Sequence, residues 1–245
     1  MTVYDLYLES GPRRRKTMAH VLALLGCVAT GPTTEAAVAA TPEAIRAFLR
    51  VLHRHGEAPD LDAADPEAPF ETRVAEHITT GQWLGNGSPY LVFGPDLEPV
   101  SDAEVERLLR RFGALREELA GWAAAQTDAQ LAATPPGGGR AARAVLLHVL
   151  GASVGGYLAA ALGSAPGFHA IAGAAERGEI GLGEGLRQIV ALTEARVRAT
   201  TAAERSAVRE RNGQVRTLRK ALRRTLEHDW EHLAELARRP GGPTL

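Results

Sequence analysis

Leu226-Glu227-His228-Asp229-Trp230-Glu231-His232-Leu233 decides how this chain is read. At about 100° per residue, two histidines four apart project from one face of a helix, about 40° from each other. Leu218, Leu222, Leu226, Leu233 and Leu236 recur around them at helical spacing. A last helix is therefore expected from about residue 213 to 238, stopped by Pro240-Gly241-Gly242. On that wheel Asp229 turns toward the leucine stripe, where it can orient an imidazole or bond an arginine. Glu231 falls about 80° from the histidine pair and reads as a nearby base or as an exposed carboxylate. Arg216, Arg219, Lys220, Arg223 and Arg224 mostly face away from the leucines and read as a solvated surface.

Upstream, residues 141–162 are apolar nearly all round, the pattern of a helix buried in a bundle. This helix carries His148 within Val145-Leu146-Leu147-His148-Val149-Leu150, where an unpaired polar ring would be costly to bury. Pro135-Pro136-Gly137-Gly138-Gly139 breaks the chain before it. Earlier still, Ser101-Asp102-Ala103-Glu104 is a capping box that opens a helix through Val105, Leu108, Leu109, Phe112, Leu115, Leu119 and Trp122. Residues 165–180 read as an irregular or short-helical connection, and a weaker helix covers 186–198. Four helices of this length predict a four-helix bundle over residues 101–240.

The N-terminal third has a different period. Val3-Tyr4-Asp5-Leu6-Tyr7-Leu8-Glu9 is strand-prone, with Ser10-Gly11-Pro12 after it and a basic run over residues 13–16 that reads as a solvated turn or a phosphate site. Met18 to Leu22 and Gly26 to Thr30 form one extended stretch, closed by Gly31-Pro32. Thr33 or Thr34 can cap a helix, and Thr41-Pro42 is a second start signal before the stripe of Ile45, Phe48, Leu49 and Leu52. An acidic, proline-rich loop covers 58–69, and residues 70–78 alternate as a further strand. The expected fold class is α+β in two domains, a small β-β-α-β unit at 1–80 and the bundle at 101–240. The linker at 81–100 carries Trp83, Tyr90, Leu91 and Phe93, which suit packing on a domain.

Composition narrows the function classes. The chain has 245 residues, 45% hydrophobic and 23% charged, which excludes wholesale disorder. A single cysteine excludes a disulfide framework and a cysteine-rich zinc site; Cys27 itself reads as a packed strand residue. The formal net charge of −1 divides unevenly: residues 1–100 carry 8 basic against 13 acidic side chains, and residues 101–245 carry 20 against 16. So small an excess argues against a nucleic-acid partner. Asp5 and Glu9 interrupt any apolar leader, so the cytoplasm is the expected compartment. The run around His148, broken by glycines, falls short of a membrane span.

Three neutral imidazoles from two facing helices are the ligand set of an open divalent site, with a fourth position left to water or substrate. His148, His228 and His232 supply that set, with Asp229 behind them. The competing reading has His148 bonded to a buried carbonyl and the pair wet at the surface. His228-x-x-Glu231-His232 also matches an H-x-x-E-H protease pattern, but only 13 residues follow in which to find its further ligand. Gly137-Gly138-Gly139-Arg140 is no phosphate loop, although Arg140 could hold a carboxylate. His20, His53, His55 and His77 share no spacing and read as structural or solvated.

Two resemblances sharpen these expectations. Ala19-His20-Val21, Leu25-Gly26-Cys27-Val28-Ala29-Thr30-Gly31 and Thr33 before a helix resemble the HicB-like antitoxin domain over about residues 1–80, a fold related to double-stranded-RNA-binding domains. That likeness implies a protein partner. The second is to the DinB-like four-helix bundles over about residues 105–238. It rests on Pro135 to Arg140 running into the His148 helix, on Tyr157-Leu158, and on the terminal stretch quoted first. It implies a metal histidine on the second helix and an H-x-x-x-H pair on the fourth, falling on His148, His228 and His232. It also implies a homodimer and thiol-dependent transferases or isomerases as relatives. The expected protein is a zinc- or nickel-binding transferase or hydrolase acting on a small molecule or thiol. The alternative is a regulatory, antitoxin-like binding module whose metal is structural or absent.

Overall fold

Alternation at the N-terminus builds β1 (Thr2–Ser10), which pairs antiparallel with β2 (Thr17–Val21). The computed structural model describes residues 1–57 and 65–245, so most of the acidic loop lies outside the described residues. The stretch expected to run unbroken from Met18 to Thr30 divides in two. A 3-10 turn at Leu22–Leu24 and Gly26, at φ +109°, reverse the chain into β3 (Val28–Gly31), which returns antiparallel on β2. A Cβ on Gly26 would stand 2.9 Å from the Phe48 ring, so this turn also needs glycine for space. The order is thus β-β-β-α-β rather than β-β-α-β.

Helix α1 (Thr34–Arg54) starts once, at Thr33, whose hydroxyl accepts from the Ala36 amide. Pro42 sits inside it, and Thr41 bonds back to the Ala37 carbonyl there. The chain then crosses to β4 (Phe70–Ile78), which pairs parallel with β1 and completes a sheet of order β3-β2-β1-β4. Alternation along β1 puts Tyr4, Leu6 and Leu8 on one face, in the core with Ile45, Phe48 and Leu52 of α1. It puts Tyr7 and Glu9 on the other, where Leu84, Leu91 and Phe93 of the connecting segment cover it.

The remaining chain is mainly helical. Ser101 caps α2 (Asp102–Ala124) through the expected reciprocal pair with Glu104. After short α3 (Asp128–Ala132) comes a continuous helical run: α4 (Ala142–Ala152), a π turn (Ser153–Leu158) and α5 (Ala159–Leu162). Then follow α6 (Phe168–Arg177), α7 (Leu182–Arg198), α8 (Ala202–Ser206), the hairpin of β5 (Arg209–Arg211) and β6 (Gln214–Arg216), and α9 (Leu218–Ala237). Helix α2 packs on α7 and α9, and α4 packs on the same two from the other side.

Three expectations change here. The last helix starts at Leu218, because Asn212 and Gly213, at φ +55° and +72°, turn a hairpin before it. The run from Ala142 to Leu162 is not interrupted by its glycines and is long and apolar enough to cross a membrane. Nor is it buried all round: Val145, Leu146, Val149 and Leu150 face inward, whereas His148, Gly156 and Ala160 are exposed. One continuous apolar core joins the sheet to the helices, and Phe48 of α1 meets Trp230 of α9 edge to face with ring centroids 5.0 Å apart.

Candidate metal centre

Helices α4 and α9 run side by side and bring the three predicted histidines together. Their ligating nitrogens all lie within 4.8 Å of one another. The closest pair is Nε2 of His148 and Nε2 of His228, at 2.9 Å. A tetrahedral ion with metal–nitrogen bonds of about 2.0–2.1 Å separates its ligands by about 3.3 Å, so this spread brackets the required spacing. His148 is exposed at the rim, whereas His228 is 6% exposed. The costly burial foreseen for His148 does not arise, because its face of α4 looks outward.

A carboxylate stands behind each histidine of the α9 pair. Nδ1 of His232 bonds Glu235 at 2.8 Å, which leaves Nε2 for the cluster. Nδ1 of His228 is buried, has no hydrogen-bond partner among the described residues, and faces Oδ1 of Asp229 at 3.7 Å. Donation from Nδ1 to a carboxylate is what fixes a metal-binding imidazole in its tautomer. Asp229 takes up the arginine role open to it in the sequence, accepting from Nε of Arg116 at 2.6 Å. Arg116 donates further to the Val149 carbonyl at 2.9 Å and to Ser153 Oγ at 2.6 Å, tying α2 to α9 and to the start of the π turn.

Electrostatics disfavour a charge on two of the imidazoles, His148 and His232. Burial, and then the neighbouring His228, push His232 down to about 4 and move His148 in the same direction. Burial opposes ionisation of Asp229, but the Arg116 guanidinium beside it prevails and holds its carboxyl below the usual range. The donor set therefore fits a divalent ion: three imidazoles in front, protonation disfavoured on His148 and His232, and a charged carboxylate behind.

A cleft of about 960 Å³ opens between β3 with α1 and the C-terminal half of α9, and His232 and Glu231 stand in its wall. Glu231 is half-buried, and burial pushes its carboxyl up. Arg140 bonds Glu235 at 3.0 Å and so sits beside His232.

The basic residues of α9 depart most from expectation. Arg219, Lys220, Arg223 and Arg224 are buried. Glu227 accepts from Arg223 at 2.9 Å and from Arg224 at 2.6 Å, and it lies 2.7 Å from Nδ1 of His20. Arg223 also forks onto Asp96 at 2.7 and 2.8 Å. Nε2 of His20 faces Glu9 at 3.7 Å, and Glu9 accepts from the amides of Gly87 and Ser88. Of the other histidines set aside, His55 bonds Glu118 at 3.0 Å, and Nε2 of His77 lies 2.8 Å from Ser10 Oγ. Cys27 is buried, as expected, and burial pushes its thiol up.

No family model, curated protein or solved structure matches the chain.

Proposed function

We propose that His148, His228 and His232 hold one divalent ion, zinc or nickel, and that the protein is a metal-dependent transferase or hydrolase acting on a small molecule or thiol. One observation carries the reading. Three imidazole nitrogens from two helices converge within 4.8 Å, and the buried Nδ1 of His228, unbonded among the described residues, faces Asp229 at 3.7 Å. When bound, such an ion lowers the pKa of its water toward about 7 or stabilises a thiolate. The chain's own residues have separate tasks. Asp229 and Glu235 orient the α9 imidazoles, Arg116 holds Asp229 ionised, and the cleft beside His232 admits a substrate. The likeness to DinB-like bundles supports this assignment and favours a homodimer, a cytoplasmic setting and thiol chemistry. The HicB-like likeness gives the sheet region a role in the cleft wall or toward a protein partner.

The test is metal content by mass spectrometry on untagged protein, alongside His148→Ala and the His228→Ala/His232→Ala double variant. About one equivalent in the wild type and none in either variant is the expected result. No metal after reconstitution with zinc and with nickel overturns it. The binding-module reading then takes its place, tested by partner capture on the sheet region.

A further inference from the structure

One turn along α9 from His228, a groove of about 490 Å³ lies between the N-terminal half of that helix and the π turn with α5. Its floor is Ala152, Gly156, Ala160 and Ala221, side chains too small to fill it. Among the described residues three cations line it, Arg216, Lys220 and Arg224, and no carboxylate does. Arg224 is neutralised by Glu227 at 2.6 Å. The other two bond only carbonyl oxygens. Lys220 Nζ donates to Pro89 at 2.7 Å and to Val215 at 2.9 Å, leaving its third donor unused. Among the described residues Arg216 reaches only the Ala160 carbonyl, at 3.3 Å, and its buried Nε has no partner. Neither forms an ion pair among the described residues.

Buried or half-buried cations that bond only carbonyls are costly unless something anionic completes them. Burial, with the neighbouring arginines, pulls Lys220 down to about 8 against the attraction of Asp96, as expected of an ammonium with no carboxylate in direct contact. The groove also leads to the histidines. Tyr157 lines it with its ring centroid 6.0 Å from that of His228, and Ala152 lies one turn beyond His148.

We propose that this groove binds a small amphipathic organic anion, its carboxylate or phosphate on Arg216 and Lys220 and its apolar body on the alanine–glycine floor, with the far end at Tyr157 beside the three histidines. As the substrate class of that centre it rests on the metal reading; as a binding site it stands on the groove's own charge and shape.

Calorimetric titration of the full chain, metal-free and zinc-loaded, tests it. The probes are 3-phenylpropionate, phenyl phosphate and the charge-reversed 3-phenylpropylamine. Either anion is expected to bind at least tenfold more tightly than the amine. Lys220→Met should weaken it at least tenfold. Arg216→Gln, at a less buried position, should do the same without threatening the fold, and Ala160→Phe should block the floor. His148→Ala/His228→Ala should abolish zinc uptake yet keep anion affinity. Failure of both anions, equal binding of the amine, or indifference to all three groove variants overturns the proposal. Zinc uptake without anion binding sinks the groove and spares the metal centre; anion binding without zinc uptake does the reverse.

Discussion

Asp229 answers to two partners at once, and their demands can be separated. Arg116 makes its charge affordable in a fully buried position, while its second oxygen faces the bare Nδ1 of His228. Asp229→Asn should lower zinc affinity about 10- to 100-fold, as loss of an orienting carboxylate does. The same change strands the Arg116 guanidinium, so it should also destabilise the fold by about 3–5 kcal/mol. Adding Arg116→Met removes the stranded charge and should restore most of the stability without restoring metal affinity. Zinc titration and urea unfolding on the single and double variants separate the effects; affinity and stability recovering together would refute the division. The histidines themselves are legible in the sequence because i, i+4 geometry is local arithmetic. Arg116 is not: its partner lies 113 positions away, and nothing near it in the chain marks it as buried.

At the scale of elements, the segment between β4 and α2 is structural. Its amides at Gly87 and Ser88 hold the Glu9 carboxylate, and its Asp96 holds Arg223. Gly87 has φ +71°, and a Cβ there would run into the Arg224 guanidinium, which is buried and already paired. Gly87→Ala should therefore cost about 1–3 kcal/mol, read as a lower urea midpoint at unchanged slope. Gly137→Ala, facing open space, is the control and should stay within about 0.5 kcal/mol. A cost for Gly87→Ala no larger than the control's would show the segment to be passive. The aromatic residues of this segment announce its packing in the sequence. The basic face of α9 does not announce its burial, because arginines at helical spacing look the same whether water or distant carboxylates neutralise them. Asp96 lies 127 positions from Arg223. The hairpin ahead of α9 is different: Asn212-Gly213 is a local turn signal, present in the sequence and outweighed there by the helical run that follows.

Across the whole molecule, these buried charges make stability a function of pH with a definite sign on each side. On the acid side, His232 and His148 bind protons less readily folded than unfolded. Their contribution is present above the ordinary histidine value of 6.5 and is lost as pH falls toward about 4 for His232. For His232 alone this amounts to about 3 kcal/mol. Glu9, Glu227 and Asp229 are likewise held below their ordinary carboxylate values, so their contributions fail only at still lower pH. On the alkaline side the sign reverses. Burial opposes the charge on His20, but Glu227 and then Glu9 overcome it and raise its pKa. That contribution is complete below 6.5 and disappears as pH rises through the raised value. Up to about pH 8, where Lys220 begins to lose its proton with the opposite sign, metal-free protein should therefore be most stable near the ordinary histidine value and lose stability in both directions, in one cooperative transition because sheet and helices share a core. Urea unfolding from mildly acid to mildly alkaline pH should show His20→Gln flattening only the alkaline limb and His148→Ala/His232→Ala only the acid one. An alkaline limb that survives His20→Gln would place its origin outside the contact between β2 and α9.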